Sequence, residues 1–456
     1  MPGHGGHRLH RHRAPGHGQH TVGASGGDDR PEGALVSAER RAWWGRHLLF
    51  GWVNLALATP VIYLLLGLPL VLRAHGWSGT EIGLLQLTGL PAVFKFALAI
   101  PVQRYNPGRY HNWAIGLCLL LIALLVLIAW VQPLGRPGVL FALALLVSVL
   151  AAWADVPLNA LAIRLFPEPE RLRAGSVRSA ALFAAAVVGG GLLLVAQERW
   201  GWALPFLIMA GMIGAGLPGL LLAERRRTDA PATPSATAVA TIDWRGFFHR
   251  AARLWSCLLV SLFPFIGAAW LYLKPLLLDQ GMPADQVAWI VGVGGGILGA
   301  VAGLVSVRLN RVLGVRRSLP LFSAVAVLAL ATLALLLHTG AGPGALAMGA
   351  ALIAIAMGML SALVFALVMY FARPQQRAMD YGLQSSLFTL SRLAVPVAAG
   401  LLLDRLGAPG MVACLAVAML AVLVLATLAR STIERCMLPP YSADTPSPAI
   451  GGRGYV

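Results

Sequence analysis

Twelve stretches of this chain stay apolar for about twenty residues or more, the length a helix needs to cross the roughly 30 Å core of a bilayer. They run roughly over 48–72, 82–101, 113–133, 138–163, 176–197, 202–223, 254–278, 286–307, 319–338, 344–372, 383–404 and 409–429, and are numbered spans 1 to 12 in that order. Nothing else in the sequence narrows the fold as much. In hydrocarbon every backbone N–H and C=O must find its partner within the chain, which leaves helices and closed barrels. Unbroken apolar runs of this length read as helices, because barrel strands alternate. Charge usage agrees: only 12% of the 456 residues are charged and 58% are hydrophobic, where soluble domains carry about 25% charged residues. The expected fold is an all-α polytopic membrane protein, with twelve transmembrane helices arranged as two six-helix pseudo-repeats and the lipid bilayer as solvent.

The formal net charge is +17. The basic residues fall between the spans and not along one face of a soluble domain, so nucleic acid is not an expected partner. With both termini cytoplasmic, 28 of the 35 Lys and Arg lie on the cytoplasmic side. Five lie opposite: Arg73, Arg136, Arg199, Lys274 and Arg405. Two, Lys95 and Arg392, remain well inside spans, with Arg178 at the start of span 5 counted on the cytoplasmic side. The positive-inside rule therefore gives N-in, C-in and an even number of spans.

Residues 1–41 form a polar arm rich in His, Arg and Gly, and such composition does not fold alone. It has no apolar stretch of the kind a signal peptide carries. Its six histidines are irregularly spaced and imply no metal site. The first half is expected over 42–223, a cytoplasmic linker over 224–253, the second half over 254–430 and a tail over 431–456. The halves repeat: "GLPLVLRAHGWSGTEIG" after span 1 parallels "LKPLLLDQGMPADQVAW" after span 7, with Pro69 over Pro275. Related halves joined by a long linker are a transporter pattern. Cys118, Cys257, Cys414 and Cys436 show no CxxC spacing and suggest neither zinc nor disulfides. "GGG" (189–191) and "GVGGGILGAVAG" (292–303) lack the phosphate-loop pattern and read as close helix packing.

Several segments resemble the major facilitator superfamily, and within it the branch of muropeptide permeases, acetyl-CoA transporters and rhizobactin/pyochelin siderophore permeases. They are "GLPL" (67–70), "IGLLQLTGLPAVFKFALAIPVQRY" (82–105), "ADVPLNALAIRLFPEPER" (154–171), "LLLDQG" (276–281) and "QQRAMDYGLQSS" (375–386). Gly89, Leu90, Pro91, Lys95, Phe96, Pro101 and Arg104 match the span 2 pattern, and Asp155 matches the first span 4 aspartate. Gln103 and Asn159 stand where that pattern has carboxylates. Asp279, Asp380, Gln384 and Ser385 match places in the siderophore branch.

A charge at the bilayer centre costs about 2.5–3.5 kcal/mol on insertion scales, so ionisable residues within spans mark function or internal pairing. Arg392 lies deepest, nine residues into span 11, and suits a carboxylate on a solute; the alternative is a salt bridge between helices. Lys95 and Asp155 lie at similar depths from the cytoplasmic side and are expected to pair, as a gate or as a static bridge. Lys95 could also snorkel. Asp155 is the candidate proton carrier. Asn54, Gln86, Asn159 and Gln384 are polar groups that could line a path. Lys274 and Asp279 read as an outer gate or an interfacial anchor, and Asp380 joins the coupling candidates.

The resemblance implies a secondary transporter, not an enzyme, working as a monomer in a bacterial inner membrane without a cofactor. The first expectation is proton-driven uptake of a siderophore or its ferric complex. A muropeptide or similar amphiphilic anion is the alternative, followed by efflux of a small molecule. A polytopic membrane enzyme is a remote alternative, since no catalytic constellation appears outside the spans.

Overall fold

The computed structural model describes residues 32–77, 84–85, 87–105, 109–225 and 243–437. Residues 1–31 of the arm, Gln86, most of the linker and the end of the tail lie outside them. The chain divides into two units, Met1–Trp44 and Gly45–Val456. In the first, a helix opens at Glu32, within the stretch expected to be an unstructured arm. The rest concerns the second unit.

Every regular element among the described residues is helical. Ten helices are long and apolar enough to cross a membrane. The last of them, Arg377–Met437, is spans 11 and 12 joined across Gly407, whose φ of 69° is not helical. Span 2 completes the twelve. It is broken into a 3₁₀ segment, Leu87–Phe94, and an α-helix, Lys95–Tyr105. Pro91 within the 3₁₀ segment removes a backbone donor, which explains why neither piece is a long helix.

Each half buries its own core. One centres on Tyr63, Leu121, Val147 and Phe206, the other on Trp255, Leu273, Phe322 and Leu360. Glycines set the closest helix crossings, as the Gly-rich runs implied. A Cβ on Gly189 would come within 3.0 Å of the Thr59 carbonyl oxygen in span 1, and one on Gly175 within 2.5 Å of the Ala366 nitrogen in span 10. The run at 188–192 winds as a π-helix, and so does Ala288–Gly294 in the second half. Both lie in the parts of spans 5 and 8 farthest from Glu168 and Leu313.

The face on which even-numbered spans end and odd-numbered spans begin is called the linker face, since Arg225 and Asp243 flank the linker there. The two halves meet toward it. Span 5 packs on spans 8 and 10, through Gly175 with Ala366 and Gly299 with Phe183, and span 2 packs on span 11, through Ala99 with Gly382.

A Cβ on Gly358 would lie 2.1 Å from the Gly299 carbonyl oxygen. Backbone cannot yield as a side chain can, so Gly358→Ala is expected to cost about 1–3 kcal/mol. Thermal unfolding of the detergent-purified protein checks this: Gly358→Ala lowers the midpoint, while Gly116→Ala, which meets nothing within 4 Å, leaves it in place.

Candidate functional site

Three charged residues share one depth. Lys95 is ten residues from the end of its helix at Tyr105, Asp155 ten from Leu165, and Arg178 ten from Glu168. Ten residues are about 15 Å of helix, close to half the hydrocarbon thickness. Lys95 is therefore deeper than the sequence implied, and it turns toward Asp155 instead of snorkelling. Its Nζ lies 2.6 Å from Asp155 Oδ2.

Asp155 is the hub. Besides Lys95 it accepts from Arg178 Nη2 at 3.2 Å, from Asn159 Nδ2 at 2.8 Å and from the Tyr381 hydroxyl at 2.6 Å. A carboxylate offers about four acceptor sites, and all are in use. Arg178 also donates through Nη1 to Asn159 Oδ1. Its guanidinium lies over the Phe365 and Tyr381 rings at 4.6 and 5.3 Å, which adds cation–π attraction from the second half. The Arg178 Nε is buried and has no partner.

The hub joins the halves, because Tyr381 belongs to span 11. Further bonds follow toward the linker face. Phe96 N donates to Ser386 Oγ at 2.9 Å, and Ser179 Oγ donates to Ser361 Oγ at 2.8 Å. Gln103, fully buried, donates through Nε2 to the Gln375 carbonyl at 2.7 Å and accepts from Ala378 N at 3.2 Å. The Tyr370 hydroxyl reaches the Glu168 carbonyl.

Arg392 stands midway between Arg377 and the kink at Gly407. It is exposed, and no hydrogen bond or ion pair engages it among the described residues. The interhelical salt bridge weighed for it is therefore not present. Tyr381, Ser385 and Arg392 are seven and eleven residues apart, so they share one face of span 11, the face that meets Asp155. Lys95 and Arg178 thus flank a single carboxylate, and Arg392 stands eleven residues beyond Tyr381 along the same face of span 11.

Other expected site residues lie elsewhere. Gln384 is fully buried, accepts from Trp255 Nε1 at 2.6 Å and donates to the Val368 and Asp380 carbonyls. With both ends of its amide occupied inside the second half, it does not face a solute. Asn54 is buried and donates to Phe50 O on its own helix. Asn159 is fully buried and braces Asp155 and Arg178 from behind, so its part is positioning. Asp380 is clasped by Arg373, with bonds of 2.8 Å from Nε and Nη2 and 2.9 Å from the backbone N–H. Arg373 also reaches Asp243 at the end of the linker. The Gly246 N–H and Arg373 hold the Asp243 carboxyl below the usual carboxylate range. Lys274 and Asp279 are exposed at the far end of span 7, five residues apart, and do not pair.

Arg178 and Tyr381 were not singled out from sequence. Arg178 was counted with the cytoplasmic basic residues because span 5 was started near 176. The helix begins at Glu168, eight residues earlier. Its start signals were present: Pro169 in the first turn, with Glu168 and Glu170 at the positive end of the helix dipole.

The sequence profile of the Major Facilitator Superfamily matches residues 48–396. The chain belongs to this superfamily. It is accordingly a multi-pass membrane protein of the major facilitator fold. The anhydromuropeptide permeases of Escherichia coli strain K12 and of Escherichia coli O157:H7 are each 27% identical to it over 266 residues, 56% of this chain and 54% of theirs. The chain thus spans about half the length of the curated relatives it matches. Among solved structures, a bacterial homologue of the iron transporter ferroportin, in an outward-facing state, superposes with a TM-score of 0.64 at 17% identity, covering 86% of this chain and 99% of that one. FucP, in its outward conformation, gives 0.62 at 16% identity, covering 84% and 98%. These likenesses show the fold.

Gln103 needs both ends of an amide. In this superfamily member, Gln103→Glu would set a carboxylate against the Gln375 carbonyl and lose a donor, at a cost of about 1–3 kcal/mol to the joined linker face. Spin labels on the loops after spans 2 and 10 are expected to show a longer distance population in the variant. An unchanged distribution would remove Gln103 from the seal.

Proposed function

We propose that this transporter moves an organic anion bearing carboxylates, driven by protons, by rocking its two halves about the Asp155 hub. The observation that supports the proposal is one carboxylate, Asp155, held by two mid-membrane cations, Lys95 and Arg178, with a third cation, Arg392, unengaged further along span 11. Two positive charges are left for a solute to neutralise, and arginine forks suit carboxylates.

The charge bias assigns the linker face to the cytoplasm of a bacterial inner membrane, with both termini inside. The joined face is then the inner one, and the solute enters from outside. It meets Arg392 first, since that residue is free, and then the edge of the Lys95–Arg178 pair. A proton on Asp155, or a solute carboxylate competing for its cations, removes the acceptor that Tyr381 and Lys95 hold. The join between spans 4 and 11 loosens and the inner face can open. Alternating access of this kind needs two arrangements of similar free energy, and a buried ion cluster that can be rewired supplies them.

A muropeptide-type solute is the reading best supported, because the permease relatives carry that substrate in their names and peptides of this kind are polyanions. The siderophore reading came first from sequence. It rested on Asp279, Asp380, Gln384 and Ser385; Asp380 and Gln384 are engaged in internal packing and Asp279 lies at the far end of span 7. It stays as the second reading, since the ferric complex of a carboxylate siderophore is also an anion.

Uptake by the purified protein in liposomes, with an inward proton gradient, tests both. Labelled anhydromuropeptide is expected to accumulate and ferric siderophore is not. Arg392→Ala is expected to cut the initial rate at least tenfold, with Arg392→Lys keeping part of it. Asp155→Asn is expected to abolish the response to the gradient while the protein still inserts. Full, gradient-dependent uptake in both the Arg392→Ala and Asp155→Asn variants would defeat the assignment.

A further inference from the structure

Away from the central site, the linker-face ends of spans 8, 9 and 12 enclose a cavity of about 490 Å³. Its lining is Leu313, Arg316, Arg317, Arg430 and Glu434. Three cations share it with one carboxylate. Glu434 leans on Arg316, with Oε2 3.9 Å from Nη1. Arg317 and Arg430 are exposed, and neither has a hydrogen-bond or ion-pair partner among the described residues. Gly314, at φ 71°, ends span 8 and turns the chain directly into the helix Val315–His338, whose first turn carries no side-chain cap. Two unpaired guanidinium groups beside uncapped N–H groups form a place for a phosphate.

The surroundings say which phosphate. Leu321 and Leu328 follow Arg317 by four and eleven residues, so they lie on its face of span 9, and both are exposed. That face runs from the cavity into the depth of the membrane as an apolar strip. A soluble phosphate uses only the cavity, whereas a lipid uses both the cavity and the strip. Basic recesses between helices at this level hold anionic head groups.

We propose that this cavity binds the headgroup of an anionic phospholipid, with its phosphate between Arg317 and Arg430 and its acyl chains along Leu321 and Leu328. The site belongs to the second half alone and shares no residue with the Asp155 hub. It would tie that half to one leaflet while the first half rocks against it.

Native mass spectrometry of the intact detergent-solubilised protein tests the proposal, with phosphatidylglycerol or phosphatidylcholine of matched chains added. The wild type is expected to retain phosphatidylglycerol in preference to phosphatidylcholine. The Arg317→Gln/Arg430→Gln protein is expected to lose about thirtyfold in that preference, two arginine contacts near a membrane surface. Arg136→Gln/Arg199→Gln, which removes two charges from the opposite side, is expected to keep it. Glu434→Gln should raise retention, because it frees Arg316, and this variant serves if the double variant does not fold. Equal retention of the two lipids by the wild type would overturn the proposal, and so would loss of retention in Glu434→Gln. Complete displacement of the lipid by millimolar inorganic phosphate would reassign the cavity to a soluble anion and overturn it too.

Discussion

The contact on which the arrangement depends is Asp155 with its four donors. Taking a carboxylate and two cations out of water costs several kcal/mol for each ion, and attraction in the interior returns that only where the geometry is good and every lone pair is used. Here Lys95, Arg178, Asn159 and Tyr381 fill the acceptor sites. No one of spans 2, 4, 5 and 11 could keep its polar group at this depth alone. Each is tolerable because the other three converge on it, and so the crossing of four helices is fixed by one side chain. The same fact makes the join reversible. Neutralising one carboxylate leaves Lys95 and Arg178 repelling each other in a place where neither finds water.

Around that hub the packing is graded. Toward the linker face the halves meet through glycine crossings, the Ser179–Ser361 bond and the two-ended amide of Gln103. Such contacts have little tolerance for displacement, and suit a face that is either joined or parted. The 3₁₀ break in span 2 leads into the hub, whereas the π turns of spans 5 and 8 lie toward the face opposite the linker. A 3₁₀ stretch or a π turn gives up regular i→i+4 bonding, and such stretches often mark hinges. The 3₁₀ segment ends at Phe94, immediately before Lys95, so a change in span 2 winding would move the cation that holds Asp155.

The membrane fold was readable because hydrocarbon permits few choices, and uninterrupted apolar length is recorded directly in the residues. The Lys95–Asp155 pair was readable for a related reason. An ion inside a span needs a counter-ion at its own depth, and depth can be counted. Direction around a helix could not be counted against neighbours whose positions were unknown. Gln384 therefore passed as a path-lining group and Asp380 as a coupling candidate, although Trp255 and Arg373 hold them inside the second half. Arg178 was missed through a helix boundary, since the charged stretch after Phe166 looks like a loop until Pro169 and its flanking glutamates are read as a helix start.

The two positions where the chain departs from its branch explain the charge balance of the site. At Gln103 and Asn159 an amide stands in place of an acid. Each amide bridges a donor and an acceptor, which a carboxylate cannot do: Gln103 between Gln375 O and Ala378 N, Asn159 between Asp155 and Arg178. The replacements therefore keep the helices together while removing negative charge near the hub. With carboxylates in both places, the cations of spans 2 and 5 would be balanced within the protein and an anion would gain little by entering. With amides, Asp155 alone answers Lys95 and Arg178. Under the proposed function the missing charge arrives with the solute.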